Sequence, residues 1–193
     1  MSVAYFITHP EVFVDPSKPV PQWHLSDQGV QRMRNFASRS DLGHLSAIWA
    51  STETKAIEAA GILAGHFGLP VNVHHGLHEN DRSATGFLPP PEFDRVADTF
   101  FANPQESVLG WERAVDAQAR VAATVDEILQ GFKGANIAFV SHGGVGTLLL
   151  CDYLKTPISR DLDQPFQGHF WAFEGTSRRV IHQWREIASR DHK

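Results

Sequence analysis

One cysteine in 193 residues, Cys151, excludes an internal disulfide and any site built from several thiolates. No run of Lys or Arg occurs, and 17 basic residues stand against 22 acidic ones for a formal net charge of −5. A nucleic-acid-binding surface, which needs a basic patch, is therefore not expected. No apolar stretch approaches the roughly 18 residues of a membrane span. Met1 to Pro10 has neither Lys nor Arg and reads as a strand, so no signal peptide is expected there and the cytoplasm is the default compartment. Charged residues reach only 20%, too few for a disordered acidic or basic tail. Repeats, linkers and low-complexity tracts are lacking as well. Residues 1–193 are thus expected to form one domain, long enough to bury roughly two-thirds of its unfolded surface. What the chain has in excess is histidine, at 11 residues.

Short apolar runs alternate with segments of helical period. Val3 to Ile7, Ala47 to Ala50, Val71 to Val73 and Asn136 to Val140 suit buried strands. Ser26 is placed to cap a helix with Val30, Met33, Phe36 and Ala37 on one face, and Ser51 or Thr52 to cap a second one that Gly68 and Pro70 stop. His74 to Pro91 is a long irregular loop, of the kind that usually carries function. Pro91 opens a further helix, another is expected from Trp111 to Leu129, and one follows Ser141-His142-Gly143-Gly144 to about Tyr153. His169 to Glu174 and Arg179 to Trp184 read as a hairpin turning at Gly175. The alternation predicts a three-layer α/β/α sandwich on a mostly parallel sheet with an antiparallel strand near the C-terminus.

Open α/β sheets bind ligands at the carboxyl ends of their parallel strands. Four polar groups fall there: His9 after the first strand, Lys55 in the first turn after the second, Glu79 in the loop after the third, and His142 after the fourth. Two histidines, a cation and a carboxylic acid are the groups that phosphoryl transfer needs. Neutral imidazole is a nucleophile near pH 7, the cation and the second histidine stabilise the non-bridging oxygens, and the acid protonates the leaving oxygen.

The same residues carry a family pattern. Phe6-Ile7-Thr8-His9-Pro10-Glu11, Leu25-Ser26-Asp27-Gln28-Gly29, Ser51-Thr52-Glu53-Thr54-Lys55-Ala56, Leu77-His78-Glu79 and Val140-Ser141-His142-Gly143-Gly144 occur in that order. Together they resemble the histidine phosphatase superfamily, also called phosphoglycerate mutase-like. The resemblance implies that fold and a phosphatase that hydrolyses a phosphate monoester, small molecule or phosphoprotein, through a phosphohistidine on His9. It further implies that His142 contacts the phosphoryl group, that Lys55 binds it, that Glu79 is the proton donor, and that no metal or organic cofactor takes part. A phosphorylated substrate is the one partner implied, with neither nucleic acid nor membrane.

The chain departs from the pattern. Thr8 replaces the family's first arginine and Pro10 the glycine after the histidine. Lys55 keeps the charge of the second arginine without its fork, and Asp15 stands six residues after His9, where Asn is common. Arg82, three residues after Glu79, is the candidate to restore the missing charge in the substrate pocket. A pocket short of cations, with Asp15 beside it, is expected to raise the pKa of His9. The alternative to a phosphatase is a catalytically degenerate protein of the same fold with a binding or regulatory role. His74, His75, His78 and Glu79 do not make the His-Glu-x-x-His metal helix, because residue 82 is Arg. Trp23 and His24 are candidates for the pocket mouth, and Cys151 for a buried filler.

Overall fold

The computed structural model describes residues 2–39 and 42–190. Six strands form one sheet: β1 (Val3–Thr8), β2 (Leu45–Ala50), β3 (Val71–Val73), β4 (Asn136–Ser141), β5 (His169–Glu174) and β6 (Val180–Glu186), in the order β3-β2-β4-β1-β5-β6. β1 to β4 are parallel; β5 pairs antiparallel with both β1 and β6, so β5 alone runs against the rest. Side chains of a strand alternate between faces, and this alternation splits the core in two. Tyr5 and Ile7 of β1 pack with Ala138 and Val140 of β4 under α1 (Asp27–Ala37) and α2 (Thr54–Phe67). Ala4 and Phe6 pack with Ile137 and Phe139 under α3 (Pro90–Ala102), α4 (Ala114–Gly131) and α5 (Gly143–Leu154). The result is the expected three-layer α/β/α sandwich.

Helix termini fix how the layers dock. Ser26 caps α1, its hydroxyl accepting the Gly29 N–H at 3.1 Å, while its own N–H donates to the Glu11 carbonyl. A Cβ on Gly29 would lie 2.2 Å from the Glu11 carbonyl oxygen, so only glycine lets α1 approach this closely. The cap of α2 differs from expectation. It is Glu53, and Ser51 lies two residues earlier, where its hydroxyl accepts the Glu53 N–H at 3.1 Å. The helix expected from Trp111 starts at Ala114, because the Trp111 indole is fixed to the Thr85 hydroxyl at 2.9 Å and Arg113 is the extended capping residue. α3 starts at Pro90, with Pro90 and Pro91 both in its first turn. Among the described residues, no helix is long and apolar enough to cross a membrane.

Candidate active site

β1, β2 and β4 all end at the same edge, and His9, Ser51 and His142 are the residues that follow or close them. The His9 N–H still pairs with the Ser141 carbonyl and the Ser51 N–H with the Val140 carbonyl, so the ladder itself fixes these backbones. The two imidazoles meet edge to face, with ring centroids 5.2 Å apart. Both are buried, His9 8% and His142 1% exposed.

His9 Nδ1 lies 2.9 Å from the Pro10 carbonyl oxygen. A carbonyl only accepts, so Nδ1 carries the hydrogen and the lone pair sits on Nε2. Proline at position 10 removes a backbone N–H but supplies the carbonyl that sets this tautomer. Burial, with the Lys55 cation second, lowers the His9 pKa from its usual 6.5 to about 4. This corrects the expectation of a raised value. Lys55, Glu53 and Arg82 are the charged side chains that act on the ring. The Asp15 carboxylate is taken by the Ser17 hydroxyl and N–H and lies 3.7 Å from Lys18, while its carbonyl accepts the Trp23 indole N–H. Trp23 in turn packs on Phe87, ring centroids 5.2 Å apart, and His24 bonds Glu58.

His142 Nε2 is 2.7 Å from the Ser51 hydroxyl and 3.3 Å from Glu53 Oε1; its Nδ1 is buried without a partner. Burial pushes the ring well below the usual imidazole range, against the opposing pull of Glu53. Lys55 Nζ is not free to turn: it donates to Glu53 Oε2 at 2.5 Å and to the Val20 carbonyl at 2.9 Å. Glu79 lies across the site at the N-terminus of α5. Its carboxylate accepts the N–H groups of Gly144 at 3.0 Å, Val145 at 2.9 Å and Asn80 at 3.0 Å. A carboxylate from another loop thus caps a helix whose own N-cap, His142, makes no side-chain cap. Arg82 Nη2 is 4.0 Å from Glu79 Oε2, and the guanidinium sits over the rings of Phe93 and Trp111 at 5.0 and 5.6 Å. Glu79, Arg82, Phe93 and Trp111 line a cleft that Gly144, Arg160 and Asp163 complete.

His9, Lys55, Glu79 and His142 therefore converge at one sheet edge, with Arg82 beside them. Thr8 is fully buried under the site, its hydroxyl 2.6 Å from Gln164 Oε1 and accepting the His169 N–H at 3.0 Å. His74 and His78 turn to other work: His74 accepts the Gly76 N–H, and His78 Nδ1 faces the Glu79 carbonyl. Among the described residues no group of three His, Cys, Asp or Glu comes together to hold a metal ion.

One residue that sequence reading missed is Glu53. It is 7% exposed and touches Lys55, His142 and the Glu79 N–H, the last at 3.0 Å. Burial by itself would raise its pKa; His142 and Lys55 outweigh that and hold the carboxyl well below the usual range. The available signal was an acidic residue two positions before Lys55 in the block that begins at Ser51. Gln164 was missed as well, and nothing in its local pattern marks it.

A family model described as the histidine phosphatase superfamily (branch 1) matches residues 18–170, starting after the Thr8-His9-Pro10 turn. No curated protein matches the chain. Among solved structures, YhfR of Bacillus stearothermophilus aligns at 22% identity over 98% of each chain with a TM-score of 0.78. A mycobacterial glucosyl-3-phosphoglycerate phosphatase aligns at 19% identity over 97% of this chain and 99% of its own, TM-score 0.75. A phosphoserine phosphatase of Entamoeba histolytica, solved with 3-phosphoglyceric acid, aligns at 15% identity over 100% and 99%, TM-score 0.76. At these identities the likeness is one of fold.

Proposed function

Because the chain belongs to the histidine phosphatase superfamily, we propose that it hydrolyses a phosphate monoester through a phosphohistidine on His9. The observation that carries this reading is the His9 tautomer: Nδ1–H held by the Pro10 carbonyl, with a bare Nε2 beside a second imidazole. Nε2 attacks phosphorus as the ester oxygen leaves with a proton from Glu79. Water then attacks the phosphohistidine and gives its proton to the Glu79 carboxylate, which releases phosphate and restores His9. The lowered pKa of His9 keeps the nucleophile uncharged throughout the neutral range. Lys55 and His142 face the phosphoryl oxygens, and the cleft lined by Arg82, Phe93 and Trp111 receives the alcohol. No metal or organic cofactor is needed for these steps, and a cytoplasmic location suits them.

The second reading is a degenerate, non-catalytic protein. Two observations favour it: the Thr8 hydroxyl is consumed by Gln164 and His169, and the Lys55 charge is matched by Glu53. Turnover of an aryl phosphate, together with an acid-labile phosphoryl label on the native protein that is absent from His9→Ala, supports the enzyme. Turnover that survives in His9→Ala excludes the covalent route, and no turnover on a broad panel of phosphate esters favours the binding role.

A further inference from the structure

Glu79 sits on backbone outside any strand or α-helix. After β3 the chain makes one short turn at His75–Leu77 and then runs irregularly to α3. Four successive carbonyls, Gly76 to Glu79, are held there by side chains. Ser141, the last residue of β4, donates its hydroxyl to the Leu77 carbonyl at 2.7 Å. Arg120, on α4, holds the other three. Its Nη1 donates to the carbonyls of Gly76 at 2.8 Å and His78 at 3.0 Å, and its Nη2 to that of Glu79 at 3.3 Å. The remaining donors go to Glu112, Nε to Oε1 at 2.9 Å and Nη2 to Oε2 at 2.7 Å. Every N–H of the planar guanidinium fork is thereby used.

We propose that Arg120 is a positioning residue for the proton transfer: its planar fork fixes the main chain at Glu79 so that the carboxyl group meets the leaving oxygen. That main chain is gripped on both polar sides, its N–H by Glu53 Oε1 at 3.0 Å and its carbonyl by Arg120. Packing already ties the start of the loop to α4. Leu77 is fully buried, and a Cβ on Gly76 would lie 2.0 Å from the hydroxyl oxygen of Thr124, one helical turn after Arg120. The bonds from Arg120 to the His78 and Glu79 carbonyls reach past that anchor, to the reacting residue itself. The charge of Arg120 is matched by Glu112, which also accepts the Asp81 N–H at 3.1 Å, so the pair acts on Glu79 through geometry more than through its field. Lysine could not fill this place. Its ammonium is a compact point without a plane, and it cannot span three carbonyls and a carboxylate together.

The inference rests on the phosphohistidine reading above, with Glu79 as proton donor. It is tested by comparing nitrophenyl phosphate, whose leaving group departs as a stable anion, with an alkyl phosphate, whose alkoxide needs the proton. Arg120→Lys should lower kcat/KM for the alkyl ester by about ten- to a hundredfold, the cost of a displaced reacting group, and change that for the nitrophenyl ester far less. A merely structural role would lower both alike. The second readout needs no turnover. The Glu79 carboxylate accepts the N–H groups of Gly144 and Val145, so amide hydrogen exchange of these two should quicken in Arg120→Lys while the rest of α5 stays protected. Should Arg120→Lys not fold, Glu112→Gln, which loosens the aim of the guanidinium, should show the same two changes at smaller size. Equal losses on both esters, no loss on the alkyl ester, or unchanged exchange at Gly144 and Val145 overturns the inference. If the native protein hydrolyses no phosphate ester, quickened exchange in the variant shows that the phosphatase reading has failed and not the placement of Glu79 by Arg120.

Discussion

The Thr8 hydroxyl lies 2.6 Å from Gln164 Oε1, and Gln164 in turn covers Gly143, where a Cβ would come within 2.3 Å of its amide nitrogen. The side chain at the place of the missing arginine is therefore a buried tie between β1 and the start of α5. Thr8→Arg alone should not restore a phosphate clamp. It overfills a closed site and is expected to cost about 1–3 kcal/mol of stability, read as a lower unfolding midpoint. Thr8→Arg with Gln164→Ala opens the space, and that pair should recover the midpoint and raise kcat/KM above the native value. Higher activity from the single variant would show that Gln164 moves freely.

Gly144 makes a separate prediction. A Cβ there would sit 2.6 Å from Glu79 Oε1 and 3.1 Å from its carboxyl carbon, so Gly144→Ala must push the carboxylate aside. Displacement of a reacting group by about 1 Å costs up to about 10²-fold. Gly144→Ala should therefore lower kcat by about ten- to a hundredfold. The lost Glu79 cap on α5 lowers thermal stability and the better helix preference of alanine offsets part of it, so the unfolding midpoint should fall only slightly. A normal kcat in this variant would remove Glu79 from the proton transfer.

Arg82 is held over Phe93 and Trp111, 4.0 Å from the Glu79 carboxylate. From there its field reaches both His9 and His142. Arg82→Ala should lower kcat/KM by about 10²-fold, the typical effect of losing one preorganised donor. Arg82→Lys, which keeps charge but not the stacked plane, should fall between the two. Steady-state kinetics on an aryl phosphate check this, and equal kinetics for all three proteins would leave the charge missing at position 8 uncompensated by Arg82.

The sheet edge was legible because each parallel strand is a short apolar run that ends in a polar residue, and strand ends lie together in this architecture. Ser26 was legible as a cap for the same local reason. What was not legible is what a buried network decides. Ser51 reads as an N-cap, yet its hydroxyl serves the Glu53 N–H and His142. Glu53 drew no reading from the sequence, yet its charge is committed to Lys55 and His142. Trp111 reads as the apolar start of a helix, yet its indole is anchored to Thr85 outside it. Gln164 comes from the irregular stretch between α5 and β5, where periodicity carries no information.

The last prediction concerns acid. His9 titrates near 4 in the folded chain against about 6.5 when unfolded. Between these values the unfolded chain binds the extra proton and the folded one does not, so stability rises with pH across that window. The contribution of His9 is fully present above pH 6.5 and is lost progressively as pH falls toward 4, by about 3 kcal/mol in all. His142, shifted in the same direction by burial, steepens the loss. Glu53 acts lower on the scale: its folded carboxyl lies well below the unfolded value, so its contribution is present above about pH 4.5 and fades in stronger acid. Urea unfolding at steps from pH 7 to 4 should thus show a steep decline in the native protein. His9→Gln, which cannot titrate, should show a visibly flatter one. On the proposed phosphohistidine route the same shift sets the acid limb of kcat/KM, which should fall near pH 4 as His9 is protonated. An acid limb near 6.5, or equal pH slopes of stability in native protein and His9→Gln, would mean that His9 is solvated rather than buried.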